Sequence, residues 1–249
     1  MSTDTDALWT CPVTYSETRQ DARRADGLGR QGAWIAWFGD VPRDHALRVG
    51  DVGANLELTC AGLTGPPGFV VTRDAYLRAL DQIGGRGELR ARVAAVDATD
   101  PSALTRAAKE CQALVRSAGM PEAVRRAVLD AYGRLGPDGP TAVRVSATAD
   151  LTAPTSSGGT NLTFTDTRGG LQLVDRIVQC WASWWSPPVV ARRASHGLTV
   201  EPAPAVIVEC MHDARVSGAG RICGPVDVRP SAQSWRPLQP GEPSPSSVL

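Results

Sequence analysis

The sequence predicts an α+β fold, a mixed or antiparallel sheet flanked by helices, on three observations. First, Ala142-Val143-Arg144-Val145-Ser146-Ala147-Thr148-Ala149 reads as a strand, followed by a small-residue loop and a second strand at Thr163-Phe164. Second, two segments that begin with proline, at Pro101 and Pro121, carry apolar residues at helical spacing. Third, Ala203 to Met211 is nearly continuous apolar sequence, as expected of a strand covered on both faces.

Taken in order, residues up to about Gly32 are polar and patternless, and 1–32 is expected to be a poorly ordered segment. Ala33 to Phe38 has the composition of a strand, and Asp51 to Cys60 reads as a short helix stopped by Gly62. Phe69-Val70-Val71 is a compact buried strand, after which Thr72 can cap a helix carrying Tyr76, Leu77 and Leu80. Leu104, Ala108, Cys111 and Val115 form the apolar stripe of the Pro101 helix; Val124, Val128, Ala131 and Leu135 form that of the Pro121 helix. Proline suits the first turn because its missing N–H has no partner there in any case. A further apolar helix bears Leu171, Val174, Val178, Trp181 and Trp185, whose tryptophans are assigned to the core rather than to a base-stacking platform. Beyond Gly218 the character shifts, and 219–249, with Pro237, Pro240, Pro243 and Pro245, reads as a disordered tail.

Composition narrows the function classes. Lysine plus arginine and aspartate plus glutamate both number 26, so zero net charge gives no electrostatic grip on nucleic acid or an anionic membrane. Lys109 is the only lysine, and the arginine pairs Arg23-Arg24, Arg125-Arg126 and Arg192-Arg193 are read as solvated helix faces. No apolar run approaches a membrane span and the N-terminus lacks a signal-peptide layout, so a cytoplasmic location is expected. The six cysteines lack C-x-x-C spacing and are expected to be reduced and mostly buried, with no metal site.

Alternation puts Val143 and Val145 on one face of their strand and Arg144, Ser146 and Thr148 on the other. An arginine fork beside the Ser156-Ser157-Gly158-Gly159 loop suits a polyphosphate, because guanidinium donates bidentate hydrogen bonds and glycines admit close backbone N–H groups. A plain hairpin with a solvated arginine accounts for the same residues.

Further blocks lie upstream in a set order: Val49-Gly50-Asp51-Val52-Gly53-Ala54-Asn55-Leu56, Ala61-Gly62-Leu63 and Pro66-Pro67-Gly68-Phe69-Val70-Val71-Thr72. With Cys180-Trp181-Ala182-Ser183, Ala205 to Met211 and Val216-Ser217-Gly218, they resemble the N-terminal nucleotide-binding region of the phosphoenolpyruvate synthase, pyruvate phosphate dikinase and rifampicin phosphotransferase family. The likeness covers about Trp37 to Gly218, so 33–218 is taken as the ATP-binding lobe.

The resemblance implies the first lobe of an ATP-grasp-like domain, with ATP held against a second lobe and the phosphoryl group ferried by a histidine on another domain. By position it implies that Arg144 contacts phosphates and that Gly158, Gly159 and Thr163 belong to the closing loop. Glu209 stands where the family has a glutamine, and Val52 where it has a lysine. Asn161 and Leu162 replace the loop's glutamine and aspartate. Magnesium is implied by the family, but no ligand for it is identified; His45, His196 and His212 fall outside any matching motif. Three readings stay open. The chain is an ATP-binding part that needs a second polypeptide for the other lobe and the phosphohistidine domain, a catalytically silent nucleotide- or ligand-binding relative, or a truncated remnant. The phosphoryl acceptor is not encoded in these residues.

Overall fold

The computed structural model describes residues 34–38, 66–136, 139–146, 162–197 and 203–211. Among the described residues five strands form one sheet: β1 (Ile35–Trp37), β2 (Gly68–Val71), β3 (Thr141–Ser146), β4 (Thr163–Thr167) and β5 (Ala205–Cys210), in the order β1-β2-β5-β3-β4. Every adjacent pair is antiparallel, so the sheet is antiparallel throughout rather than mixed. The last strand in sequence, β5, lies at the centre between β2 and β3. That position explains its near-continuous apolar sequence: Val206 and Val208 face the helices while Ala205 and Ile207 face away, and all four are buried.

The helices are α1 (Arg73–Asp81), α2 (Gly85–Ala94), α3 (Pro101–Ala118), α4 (Glu122–Leu135), α5 (Gly170–Ser183) and α6 (Pro187–His196). Their apolar residues join Trp37, Phe69, Val71, Val143, Val145, Val206 and Val208 in the main core on one face of the sheet. The expected stripes of α3 and α4 are all buried, as the 3.6-residue repeat requires. Asp100 caps α3, accepting a hydrogen bond from the Ser102 N–H at 2.8 Å, and Pro101 takes the first helical position. Pro121 is instead the N-cap residue of α4. Thr72 fills the N-cap position of α1 without a side-chain capping hydrogen bond.

Four sequence expectations need correction or completion. Leu171 is 83% exposed, and the buried stripe of α5 runs through Leu173, Ile177, Cys180 and Trp181, one step out of phase with Leu171, Val174 and Val178. Trp185 is buried as expected but lies beyond the end of that helix. Arg193 is buried at 7% exposure, so Arg192-Arg193 is not a solvated pair. The α2 helix was not anticipated; its Gly85 and Gly87 and its arginines mask a stripe reduced to Leu89 and Val93.

Tyr76 on α1 and Trp185 tie the helical layer together. The indole N–H of Trp185 donates to the Tyr76 hydroxyl at 2.9 Å, the Tyr76 ring meets Trp181 edge-on, and the Gln112 amide donates to the Trp185 carbonyl. Cys111, Cys180 and Cys210 are buried, as expected for them. Among the described residues, no helix is long and apolar enough to cross a membrane. The segments 1–32 and 219–249, the 51–60 helix, and Cys11, Cys60 and Cys223 lie outside the described residues.

Candidate functional site

Strand β3 presents Val143 and Val145 to the helices, and alternation therefore turns Arg144 to the opposite face. In the antiparallel register Arg144 pairs with Thr163 of β4 on one side and Ile207 of β5 on the other. Directly opposed residues share a face, so Thr163 stands beside Arg144, and Ser146 lies two residues along the same strand. The register also pairs Glu209 with Ala142, which sets Glu209 diagonally across from Arg144.

The diagonal closes into an ion pair. Arg144 Nη2 donates to Glu209 Oε2 at 3.0 Å, with the two side chains 30% and 15% exposed. Burial pushes the Glu209 carboxyl above the ordinary carboxylate range, and the charge and hydrogen bond of Arg144 pull against that shift without cancelling it. The Arg144 Nε is itself buried and has no hydrogen-bond partner among the described residues. One donor of the fork is thus engaged by a carboxylate, and the Nε donor is shielded from solvent.

The same face carries a small apolar floor of Phe38, Val70, Ala205 and Ile207. Gly68, paired with Glu209 across β2 and β5, lets that floor form. A Cβ at position 68 would overlap the Phe38 ring and come within 2.6 Å of the Val208 carbonyl oxygen. On the outer side, Phe164 of β4 faces the helices and is covered by the Arg176 guanidinium, 4.4 Å from the ring centre. That contact fixes the strand carrying Thr163 against α5.

Of the residues expected at the site, the fold brings Arg144, Thr163 and Glu209 together on one sheet face. Gly158, Gly159, Asn161 and Val52 lie outside the described residues, as do His45 and His212. His196 is exposed at the end of α6, with Nδ1 3.0 Å from the Arg192 carbonyl oxygen. Lys109 projects from the exposed side of α3, in the layer on the other side of the sheet from Arg144. It cannot serve that face. No group of three or more histidine, cysteine, aspartate or glutamate side chains suited to a metal ion occurs among the described residues. Sequence reasoning missed the Arg144–Glu209 bond, since the neighbour of β3 is a strand some sixty residues away in the chain. The opposite charges on two polar strand positions were the available signal.

A guanidinium beside a hydroxyl on one face of an antiparallel sheet is chemistry suited to an anionic ligand. The chain is 32% identical over 200 residues to a probable phosphoenolpyruvate synthase of Methanocaldococcus jannaschii, covering 78% of this chain and 17% of that protein. It is 32% identical over 203 residues to the phosphoenolpyruvate synthase of Aeropyrum pernix, covering 77% of this chain and 24% of that protein. To a rifampicin phosphotransferase of Streptomyces it is 32% identical over 198 residues, covering 78% of this chain and 23% of the relative. The chain thus spans about a quarter or less of the length of these relatives. Residues 47–233 match the family described as pyruvate phosphate dikinase, AMP/ATP-binding domain. That match takes in β2 to β5 and every helix, more than half of the chain, and so this protein belongs to the pyruvate phosphate dikinase AMP/ATP-binding domain family.

Proposed function

We propose that the chain is an ATP-binding lobe that contributes to ATP-dependent phosphoryl transfer only together with further domains, supplied elsewhere, that provide the other face of the nucleotide and the phosphohistidine. The observation that carries this reading is the shared face of Arg144 and Thr163. Family membership supplies the ligand class.

In this reading ATP supplies the transferable phosphoryl group. Arg144 would bind phosphate oxygens through its Nη groups, and Thr163 would donate its hydroxyl to the same cluster. Gly158 and Gly159 would bring backbone N–H groups over the phosphates. The site works with less charge than the resemblance implies. Val52 offers no counterpart to the family lysine, and loss of one charge-assisted hydrogen bond, about 1.5–3 kcal/mol, weakens binding by about ten- to a hundredfold. Offsetting charge between phosphates is normally the task of magnesium, and its ligands are assigned to the second lobe. In this reading the chain acts in the cytoplasm as the first lobe of an ATP-grasp-like site.

A second reading, a catalytically silent nucleotide-binding relative, is favoured by one specific feature, the engagement of Arg144 by Glu209. Titration calorimetry of the full chain with ATP and magnesium tests the binding step common to both. Heat release that falls about tenfold or more in affinity in Arg144→Ala is expected. Equal heats from both proteins would remove the site. Phosphoryl transfer by this chain alone would contradict the need for further domains.

A further inference from the structure

Ion pairs such as Arg86–Asp81, Arg92–Glu88 and Arg125–Glu122 join near neighbours along the chain at exposed positions. Arg144–Glu209 is different in kind. It joins two central strands whose residues lie 65 positions apart, and the Glu209 side chain is only 15% exposed. A carboxylate is costly to hold at that depth, and it is held where the fork of Arg144 can neutralise it. An anion approaching Arg144 must therefore either displace Glu209 or sit beside it. Displacement leaves a shielded carboxylate without its counter-charge, and cohabitation sets like charges at hydrogen-bond range. Both costs rise with the negative charge of the ligand.

We propose that Glu209 is a specificity-determining residue, an internal counter-ion to Arg144 that lowers this sheet face's affinity for a nucleotide in proportion to its phosphate charge and so penalises a triphosphate relative to a monophosphate. This rests on the nucleotide-binding reading above. It assigns a role that a merely structural ion pair would not have, because a structural pair would alter binding of all nucleotides alike. The geometry of the fork supplies the complementary half of the argument: Glu209 engages Arg144 at Nη2, so a monophosphate can take an N–H at Nη1 without breaking that bond.

The test is calorimetry of the full chain and of Glu209→Gln with ATP, AMP and adenosine at constant ionic strength and neutral pH. The amide keeps the size and an acceptor oxygen but removes the charge. ATP affinity is expected to rise about tenfold in Glu209→Gln, AMP affinity by less, and adenosine affinity not at all. Should that variant lose its cooperative melt, Glu209→Ala carries the same comparison. An unchanged ATP-to-AMP ratio, or a parallel shift for all three ligands, overturns the proposal while leaving nucleotide binding intact. Binding of none of the three ligands by wild type or variant overturns both this proposal and the nucleotide reading beneath it.

Discussion

Replacing Arg144 by alanine should destabilise the fold in a way that depends on pH and is rescued by a second change at Glu209. At 3.0 Å separation and an effective dielectric of about 20, the gross attraction of the pair is about 5 kcal/mol. Desolvation of both groups and the 30% exposure of Arg144 reduce the net coupling to about 1–2 kcal/mol. Arg144→Ala removes that coupling and strands a shielded carboxylate, at an expected cost of about 2 kcal/mol at neutral pH. The direction with pH follows from burial. The folded protein already holds the Glu209 proton to higher pH than the ordinary value of 4.5, because desolvation outweighs the arginine. The contribution of this group to stability is therefore greatest at acid pH and is lost as pH rises through its folded value. Without Arg144 the carboxyl is pushed up further, so the penalty relative to wild type grows towards neutrality and shrinks as falling pH protonates Glu209 in both proteins. Urea denaturation at pH 4.5 and 7.5 for Arg144→Ala, Glu209→Gln and the double variant measures the cycle. Equal destabilisation at both pH values, or a double variant no more stable than Arg144→Ala at neutral pH, would refute the reasoning.

Two further outcomes are expected. Leu173→Ala should cost about 2–5 kcal/mol, because the side chain is fully buried, whereas Leu171→Ala should change stability by less than about 0.5 kcal/mol. Thermal melting separates them, and a comparable loss from Leu171→Ala would contradict the phase of α5. Burial pushes the Cys111 thiol up to about 11 and the Cys180 thiol up to about 12. Alkylation of the native protein by iodoacetamide near pH 8, followed by peptide mapping, should therefore leave both unmodified, while denatured protein is modified at each. Rapid native labelling of either would show that the α3–α5 packing opens readily.

Local order was legible wherever a short-range repeat carried it. The period-two alternation of Val143, Arg144 and Val145 announced which residue leaves the core, and the 3.6-residue stripes of α3 and α4 announced their buried sides. The same reasoning misplaced the α5 stripe, because Leu171, Val174 and Val178 make a helical row as regular as Leu173, Ile177 and Cys180. Both rows are apolar, and only packing against β3 and α3 selects between them. It overlooked α2 because two apolar residues make too weak a signal, and it left Arg193 in water because burial of a long side chain depends on what surrounds its helix.

By itself, then, the sequence determined the existence of most described elements, the placement of Arg144 on the strand face opposite Val143 and Val145, and the family to which the chain belongs. These follow from side-chain periodicity and from separated blocks in a set order, properties carried along the chain. Tertiary structure alone decided that β5 lies between β2 and β3, because strand order comes from long-range pairing and shared burial rather than from local propensity. With that order set, Glu209 falls within hydrogen-bond reach of Arg144 and the candidate phosphate grip carries its own counter-ion.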